Sequence, residues 1–262
     1  MQLAIDIGNT HICLGVFKAD ALLKSWRVDA QARRTGDEYR LLIDGFFQAA
    51  GFDINALESS VICSVSPSST DNLLRAVSPL CADAPMVVTA RHKTNLKSID
   101  YSLQEIGADR IADAAAAFEL YGGAPLVIVD AGTGLVFDAV SGAGEYLGGA
   151  IAPGLEVAAD ALNSKTALLP PTDFKIPQTY IGKNTAHSLR AGFLLGYREL
   201  INGLIQKFAS EMVGEGAAQA RAIATGGMAD LIAALSGRFD YVDADLTLKG
   251  LRLIYDMNSA AD

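Results

Sequence analysis

Cysteine is scarce in this sequence, and its three copies, Cys13, Cys63 and Cys81, show no Cys-x-x-Cys spacing. An odd, scattered set argues against a disulfide framework and against a cysteine-built metal cluster, and it fits a reducing compartment. Positive charge is also in deficit: 21 Lys and Arg against 30 Asp and Glu leave a formal net charge of −9. A surface that follows nucleic-acid phosphates needs the opposite sign, so no nucleic-acid partner is expected, and any anionic ligand must be met by a local site. Long apolar runs are missing as well. No stretch reaches the roughly 18 uncharged apolar residues of a membrane helix, and the N-terminal run is broken at Asp6, so neither a membrane span nor a signal peptide is expected. The expectation is a globular cytoplasmic protein, and 262 residues suffice for one large domain or two compact ones. Of the three histidines, His92 and His187 have no metal-ligand partner at helical spacing, and His11 follows an Asp-x-Gly turn that it could face as readily as the opposite layer of its strand; Trp26, Phe46 and Phe47 read as core rather than as a base-stacking platform.

What is present is a repeat. Leu3-Ala4-Ile5-Asp6-Ile7-Gly8-Asn9-Thr10 is echoed by Val127-Ile128-Val129-Asp130-Ala131-Gly132-Thr133-Gly134, about 120 residues later, a spacing near one domain length. In each copy a β-branched run feeds an Asp-x-Gly-polar turn and further strand-like sequence follows: His11 to Phe17 and Leu22 to Val28, then Leu135 to Val140 and Tyr146 to Ala152. Antiparallel strands joined by tight turns, then a helix and another strand, describe a mixed sheet with helices packed on it. Helical spacing of Tyr39, Leu42, Ile43, Phe46 and Phe47 predicts a helix from Asp37 to Gln48, with Thr35 and Glu38 as a capping box. Val61 to Val65 reads as a short buried strand, Arg110 to Leu120 as a helix with Asp109 at or near its N-terminus, and Ala186 to Val213 as one or two long helices. Ala222 to Gly227 reads as a strand ending in a glycine turn before a helix from Met228 to Leu235. The expected lobes are 1–111 and 112–262, joined by a helix rather than a flexible tether.

The turns carry the chemistry. A glycine after a strand lets backbone N–H groups and hydroxyls approach phosphate oxygens, and a carboxylate just before it can hold Mg²⁺ through water. A single Asp-Gly turn is equally a plain β-hairpin. Two in equivalent positions supply one phosphate loop from each half of a duplicated fold, and Gly226-Gly227 after Thr225 adds a third close backbone approach.

With these motifs in order, together with Gly107-Ala108-Asp109-Arg110-Ile111-Ala112, Gly148 to Gly154, Gly182-Lys183-Asn184-Thr185 and Leu246 to Leu251, the chain resembles the type III pantothenate kinases over nearly its whole length. The resemblance implies an α/β fold of duplicated ribonuclease H-like (actin-like) domains, each a mixed five-stranded sheet flanked by helices. It implies ATP-dependent phosphorylation of pantothenate to 4'-phosphopantothenate, the first step towards coenzyme A. It also implies use of Mg²⁺ and a monovalent cation, K⁺ or NH₄⁺, and a homodimer with the substrate site near the interface. Asp109 matches the general base, with the N-cap of its helix as the plainer role for the same carboxylate. Tyr101, Gly107, Ala108, Asp109, Arg110 and Thr185 match substrate-binding positions, although Arg110 could equally sit in a surface ion pair. Asp6, Ile7, Gly8, Asn9, Thr10, His11, Ile12, Cys13, Thr133, Gly226 and Gly227 match nucleotide contacts. Asp6 and Asp130 match metal positions, Asp130 either as the ligand of the monovalent cation or as a second Mg²⁺-water ligand.

Two stretches depart from the family pattern. Ala131 stands where a Phe is usual, and Gly134-Leu135-Val136 stands where hydroxyl-bearing residues are expected. Asp100-Tyr101-Ser102-Leu103 places Tyr101 one residue closer to the Gly107 motif than is usual, and a one-residue shift within a strand would turn its ring to the other face. These changes leave two competing readings open: a catalytically weakened homologue acting as a nucleotide- or partner-binding accessory protein, and an actin-like kinase with another small hydroxyl acceptor.

Overall fold

The computed structural model of the chain describes residues 1–102, 105–167, 169–213 and 219–259. Two compact units form. The first comprises Met1–Leu96, Tyr101–Glu119 and Asp245–Asp262, and the second comprises Lys97–Asp100 and Leu120–Ala244.

In the first unit β1 (Gln2–Ile7) pairs antiparallel with β2 (His11–Lys18), and β2 with β3 (Ala21–Asp29). On its other side β1 pairs parallel with β4 (Ser59–Ser64), which pairs parallel with the two-residue β5 (Met86–Val87). The sheet order is β3-β2-β1-β4-β5. Parallel neighbours require crossovers, and these are α1 (Gly36–Ala50) and α2 (Pro67–Val77). Thr35 caps α1 with the full capping box: its hydroxyl accepts from the Glu38 N–H at 3.3 Å, and its own N–H donates to the Glu38 carboxylate at 2.7 Å. Tyr39, Ile43 and Phe47 form the apolar stripe that α1 buries, meeting Leu3, Ile5 and Ile7 from β1 and Leu73, Ala76 and Val77 from α2. Trp26 stacks on Phe46 at 5.3 Å between ring centroids, and both are partly buried and packed against this core.

The second unit repeats the plan. β7 (Leu126–Ala131), β8 (Gly134–Val140) and β9 (Glu145–Pro153) are antiparallel, while β10 (Arg221–Thr225) and β11 (Tyr241–Val242) run parallel to β7 on its other side. The order β9-β8-β7-β10-β11 reproduces the first sheet strand for strand, which establishes the duplicated α/β fold. A sixth strand, β6 (Ser98–Ile99), extends this sheet beyond β9, so it has one strand more than the five expected.

The units are not contiguous halves of the chain. The expected boundary at residue 111 falls inside α3 (Ala108–Tyr121), and the last helix, α8 (Leu246–Ser259), belongs to the first unit. The reason is packing: Leu246, Leu248, Leu251 and Ile254 of α8 are buried, and the helix lies against β1, β2 and β4. There it crosses α3 at Gly250, where a Cβ would run into the backbone of Ala112, 2.8 Å from its Cα and closer still to its carbonyl. Between β9 and β10 the chain forms α4 (Leu155–Lys165), α5 (Thr185–Arg190), a π-helical turn (Ala191–Leu195) and α6 (Gly196–Val213); α7 (Ala229–Ser236) joins β10 to β11. The expected long helical stretch is therefore present with a π turn inside it.

The close approach at Gly250 gives a direct test of packing. Gly250→Ala should lower stability in urea unfolding by about 2 kcal/mol or more, because backbone rather than a flexible side chain must move. Gly203→Ala on α6, where nothing lies within 4 Å of the added Cβ, should be neutral or stabilising by up to about 1 kcal/mol.

Candidate active site

The end of β1 gathers the first set of candidate side chains. Because β1, β2, β3 and β4 are in register, Arg27, Cys13, Asp6 and Cys63 fall in one row across the sheet, Asp6 opposite both Cys13 and Cys63 and Cys13 opposite Arg27. The Cys63 thiol donates to Asp6 Oδ1 at 3.1 Å. Burial pushes the Asp6 carboxyl up to about 6; the Cys63 hydrogen bond draws it down, the negative charge of Asp109 raises it further, and the Arg27 guanidinium opposes both. Burial and the same two carboxylates hold the Cys63 thiol well above its ordinary range, so it remains a donor. After Asp6 the chain turns tightly: the Gly8 N–H donates to the His11 carbonyl at 3.0 Å, and a Cβ on Gly8 would lie 2.9 Å from that oxygen. Asn9 is exposed, Thr10 half-buried and His11 exposed at the turn. Ile7 and Ile12, which flank it, are fully buried in the core, so only their backbone can face a nucleotide. Strand alternation sends those two side chains opposite to Asp6 and Cys13.

Asp109 comes into this set from α3. The helix begins at Ala108, so Asp109 is its second residue, two places after the cap position, and its Oδ1 accepts from the Arg110 N–H at 2.9 Å. Its carboxylate folds back into the space a Gly107 side chain would fill, which is why glycine stands there. One turn on, Asp113 is 2% exposed and accepts from the Thr247 hydroxyl of α8 at 2.7 Å. The Arg110 guanidinium lies over the Tyr101 ring, 5.4 Å from its centroid. Tyr101 lies outside β6, so strand alternation does not decide its direction, and the ring is brought to Arg110. Ala108 opens the helix, and Leu103, part of the altered stretch, lies outside the described residues.

The end of β7 forms the second set. The β7–β8 turn is closed by the Gly132 N–H donating to the Gly134 carbonyl at 2.9 Å, and Thr133 is exposed at its tip. Two glycines from elsewhere support it. Gly154 donates to the Thr133 carbonyl at 2.9 Å, and a Cβ there would lie 2.5 Å from the same oxygen. Gly226, at φ 87°, lies against the loop so that a Cβ would meet the Asp130 carboxylate and come within 2.8 Å of the Ala131 carbonyl. Gly227 follows, exposed, before α7. Thr185 is exposed as the first residue of α5, where Asn184 caps the helix by accepting from the His187 N–H at 2.9 Å. Thr185 thus belongs to the second unit, whereas Tyr101, Gly107, Ala108, Asp109 and Arg110 are together in the first.

Three contributors escaped the motif reading, Cys63, Arg27 and Asp113, and Thr247 lay inside the Leu246 to Leu251 motif with no role assigned to it. A carboxylate four residues after Asp109 in an alanine-rich helix was a visible signal for Asp113. The others depend on strand register and helix crossing. Among the described residues no group of three or more His, Cys, Asp or Glu forms a ready metal cage, and no helix is long and apolar enough to cross a membrane.

A duplicated sheet with a carboxylate and a glycine turn at the end of each central strand is the plan of the actin-like kinases. Solved structures agree on the fold: a Sinorhizobium meliloti protein described as a 2-dehydro-3-deoxygalactonokinase matches with TM-score 0.57 and 16% identity over 97% of this chain and 98% of its own. The Clostridium difficile activator of 2-hydroxyisocaproyl-CoA dehydratase, with bound ADPNP, matches with TM-score 0.54 and 12% identity over 99% of this chain and 95% of its own. Within that class the relatives are specific. The family model for type III pantothenate kinase matches residues 2–207. The type III pantothenate kinase of Moorella thermoacetica is 40% identical over 259 residues, 99% of this chain and 100% of its own. That of Dehalococcoides mccartyi (strain BAV1) is 42% identical over 97% of this chain and 95% of its own, and that of Myxococcus xanthus 40% identical over the full length of both. The chain belongs to the type III pantothenate kinase family.

The buried Asp6 carboxyl has a pH signature. Its pKa in the folded chain lies above the ordinary 3.8, so its contribution to stability is complete below that value and is lost as pH rises through about 6. Asp6→Asn removes the penalty. In metal-free buffer the variant should match the wild type near pH 4 and exceed it by on the order of 2 kcal/mol at pH 7.5. Urea midpoints across that range check this, and a difference that does not change with pH contradicts it.

Proposed function

We propose that this chain transfers the γ-phosphoryl group of ATP to the primary hydroxyl of pantothenate, giving 4'-phosphopantothenate and ADP and opening coenzyme A synthesis, in the cytoplasm. The observation that carries the reading is the convergence of Asp109 and Asp6, a helix-start carboxylate and a strand-end carboxylate, in one unit of a type III pantothenate kinase chain. Phosphoryl transfer asks for positioning and charge neutralisation more than for covalent help. Asp109 takes the proton from the attacking hydroxyl, and Gly107 gives its carboxylate room to do so. Arg110, already lying over Tyr101, offers a planar cation for the pantothenate carboxylate, and Thr185 adds a hydroxyl contact. The turns at Gly8 to Thr10 and at Thr133, with Gly226 and Gly227, supply backbone N–H groups and hydroxyls to the nucleotide. Asp6 would hold Mg²⁺ through water, and Mg²⁺ when bound neutralises charge on the phosphates. Asp130 would hold the monovalent cation, potassium or ammonium.

We propose a homodimer through the second unit, on the support of an exposed apolar set: Leu147 and Ile151 of β9, Val157 and Leu162 of α4, and Ile176 and Ile181 in the following segment. A second reading, a nucleotide-binding protein with little turnover, is motivated by Ser102-Leu103 and by Gly134-Leu135-Val136, where Leu135 is 2% exposed in the core and offers no hydroxyl.

Two outcomes are expected. Asp109→Asn should reduce kcat for pantothenate by about 10²–10⁴-fold in an assay coupled to ADP release, with ATP affinity by calorimetry unchanged. Loss of both together would point to misfolding, and retained kcat would remove Asp109 as the base. Ile151→Asp combined with Ile181→Asp should halve the mass measured by light scattering, and an unchanged mass would place the interface elsewhere.

A further inference from the structure

Thr225 ends β10 with its side chain fully buried, and its hydroxyl has no hydrogen-bond partner. A buried hydroxyl left in that state costs about 1–3 kcal/mol, and one without a protein partner calls for an explanation such as a water or an ion. Three relations fix where it points. In the parallel register of β10 and β7, Thr225 stands beside Asp130, and paired residues share a face. Ala222 and Ala224 join Val127 and Val129 in the core cluster with Ile201, Ile205 and Ile232 of α6 and α7, which leaves Thr225 and Asp130 on the opposite face. Finally, the Asp130 carboxylate occupies the volume that a Gly226 side chain would take, so it lies over the end of β10 at the residue that follows Thr225.

We propose that Thr225 Oγ1 is a second protein ligand of the monovalent cation held by Asp130, an inference that rests on the cation reading of Asp130 given above. The donor set suits the charge. One carboxylate balances one positive charge, a hydroxyl lends a neutral lone pair, and such hard oxygen ligands suit a weakly hydrated cation of potassium or ammonium size. The hydroxyl is therefore a device for cation binding, bought at a stability cost when the cation is absent.

Thermal unfolding of the full chain, titrated with KCl at constant ionic strength against tetramethylammonium chloride and without ATP or pantothenate, tests this without relying on turnover. The wild type should gain melting temperature saturably with K⁺. Thr225→Val keeps the shape and removes the oxygen: it should melt at or above the wild type without K⁺ and need at least about tenfold more K⁺ for half the gain, the factor for roughly 1.4 kcal/mol of lost binding. Thr225→Ser should titrate like the wild type, and Asp130→Asn should lose the response. If Thr225→Val titrates K⁺ as the wild type does while Asp130→Asn fails to, the Thr225 assignment is overturned and the Asp130 reading stands. If Asp130→Asn titrates normally, or the wild type shows no K⁺ response, both fall.

Discussion

In each unit the arrangement follows from placing a carboxylate at the end of a strand that is otherwise buried. β1 and β7 are near-continuous apolar runs because each lies in the middle of its sheet with both faces covered. An ionised group at the end of such a strand is only partly hydrated and must be met by donors, cations or a shifted pKa. Asp6 shows the last of these, with the Cys63 thiol and the Arg27 guanidinium relieving it in part. Asp130 is accommodated by Gly226, whose missing side chain leaves the room that the carboxylate takes.

Glycine recurs on both sides of the duplication. Gly107 leaves room for the Asp109 carboxylate and Gly8 for the close approach of the His11 carbonyl, while Gly154 and Gly226 support the second loop. The two loops are nevertheless unlike. The Thr10 carbonyl accepts from the Ala30 N–H at 2.9 Å, which ties the first turn to the end of β3, whereas the second turn is held by glycines from two other segments. The sequence change after Thr133 therefore falls on a loop whose backbone frame is supported independently of the missing hydroxyls.

Local pattern made much of this legible in advance. The paired strand-turn repeats, the Thr35 capping box, the helix after Gly107 and the glycine turn after Thr225 each reside in a few consecutive residues, and each is present. What escaped was set by contacts distant in sequence. No pattern in Leu246 to Leu251 announces that α8 packs on the first sheet or that Gly250 meets Ala112. Cys63 reaches Asp6 only through strand register, and β6 is too short to carry an alternation. Ile7 and Ile12 are among the matched nucleotide contacts, yet their side chains face the core, because a match names a stretch of chain while a strand divides it between two faces. The unsatisfied Thr225 hydroxyl was invisible until its burial was known.

The central claim is that these strand-end carboxylates serve transfer of phosphate to pantothenate rather than nucleotide binding alone. The most direct measurement is ³¹P NMR of the purified chain with ATP, Mg²⁺, K⁺ and pantothenate. The account predicts one new phosphomonoester resonance, split by the adjacent CH₂ of the pantothenate alcohol and growing mole for mole with ADP. Inorganic phosphate in its place, or unchanged ATP, would contradict it.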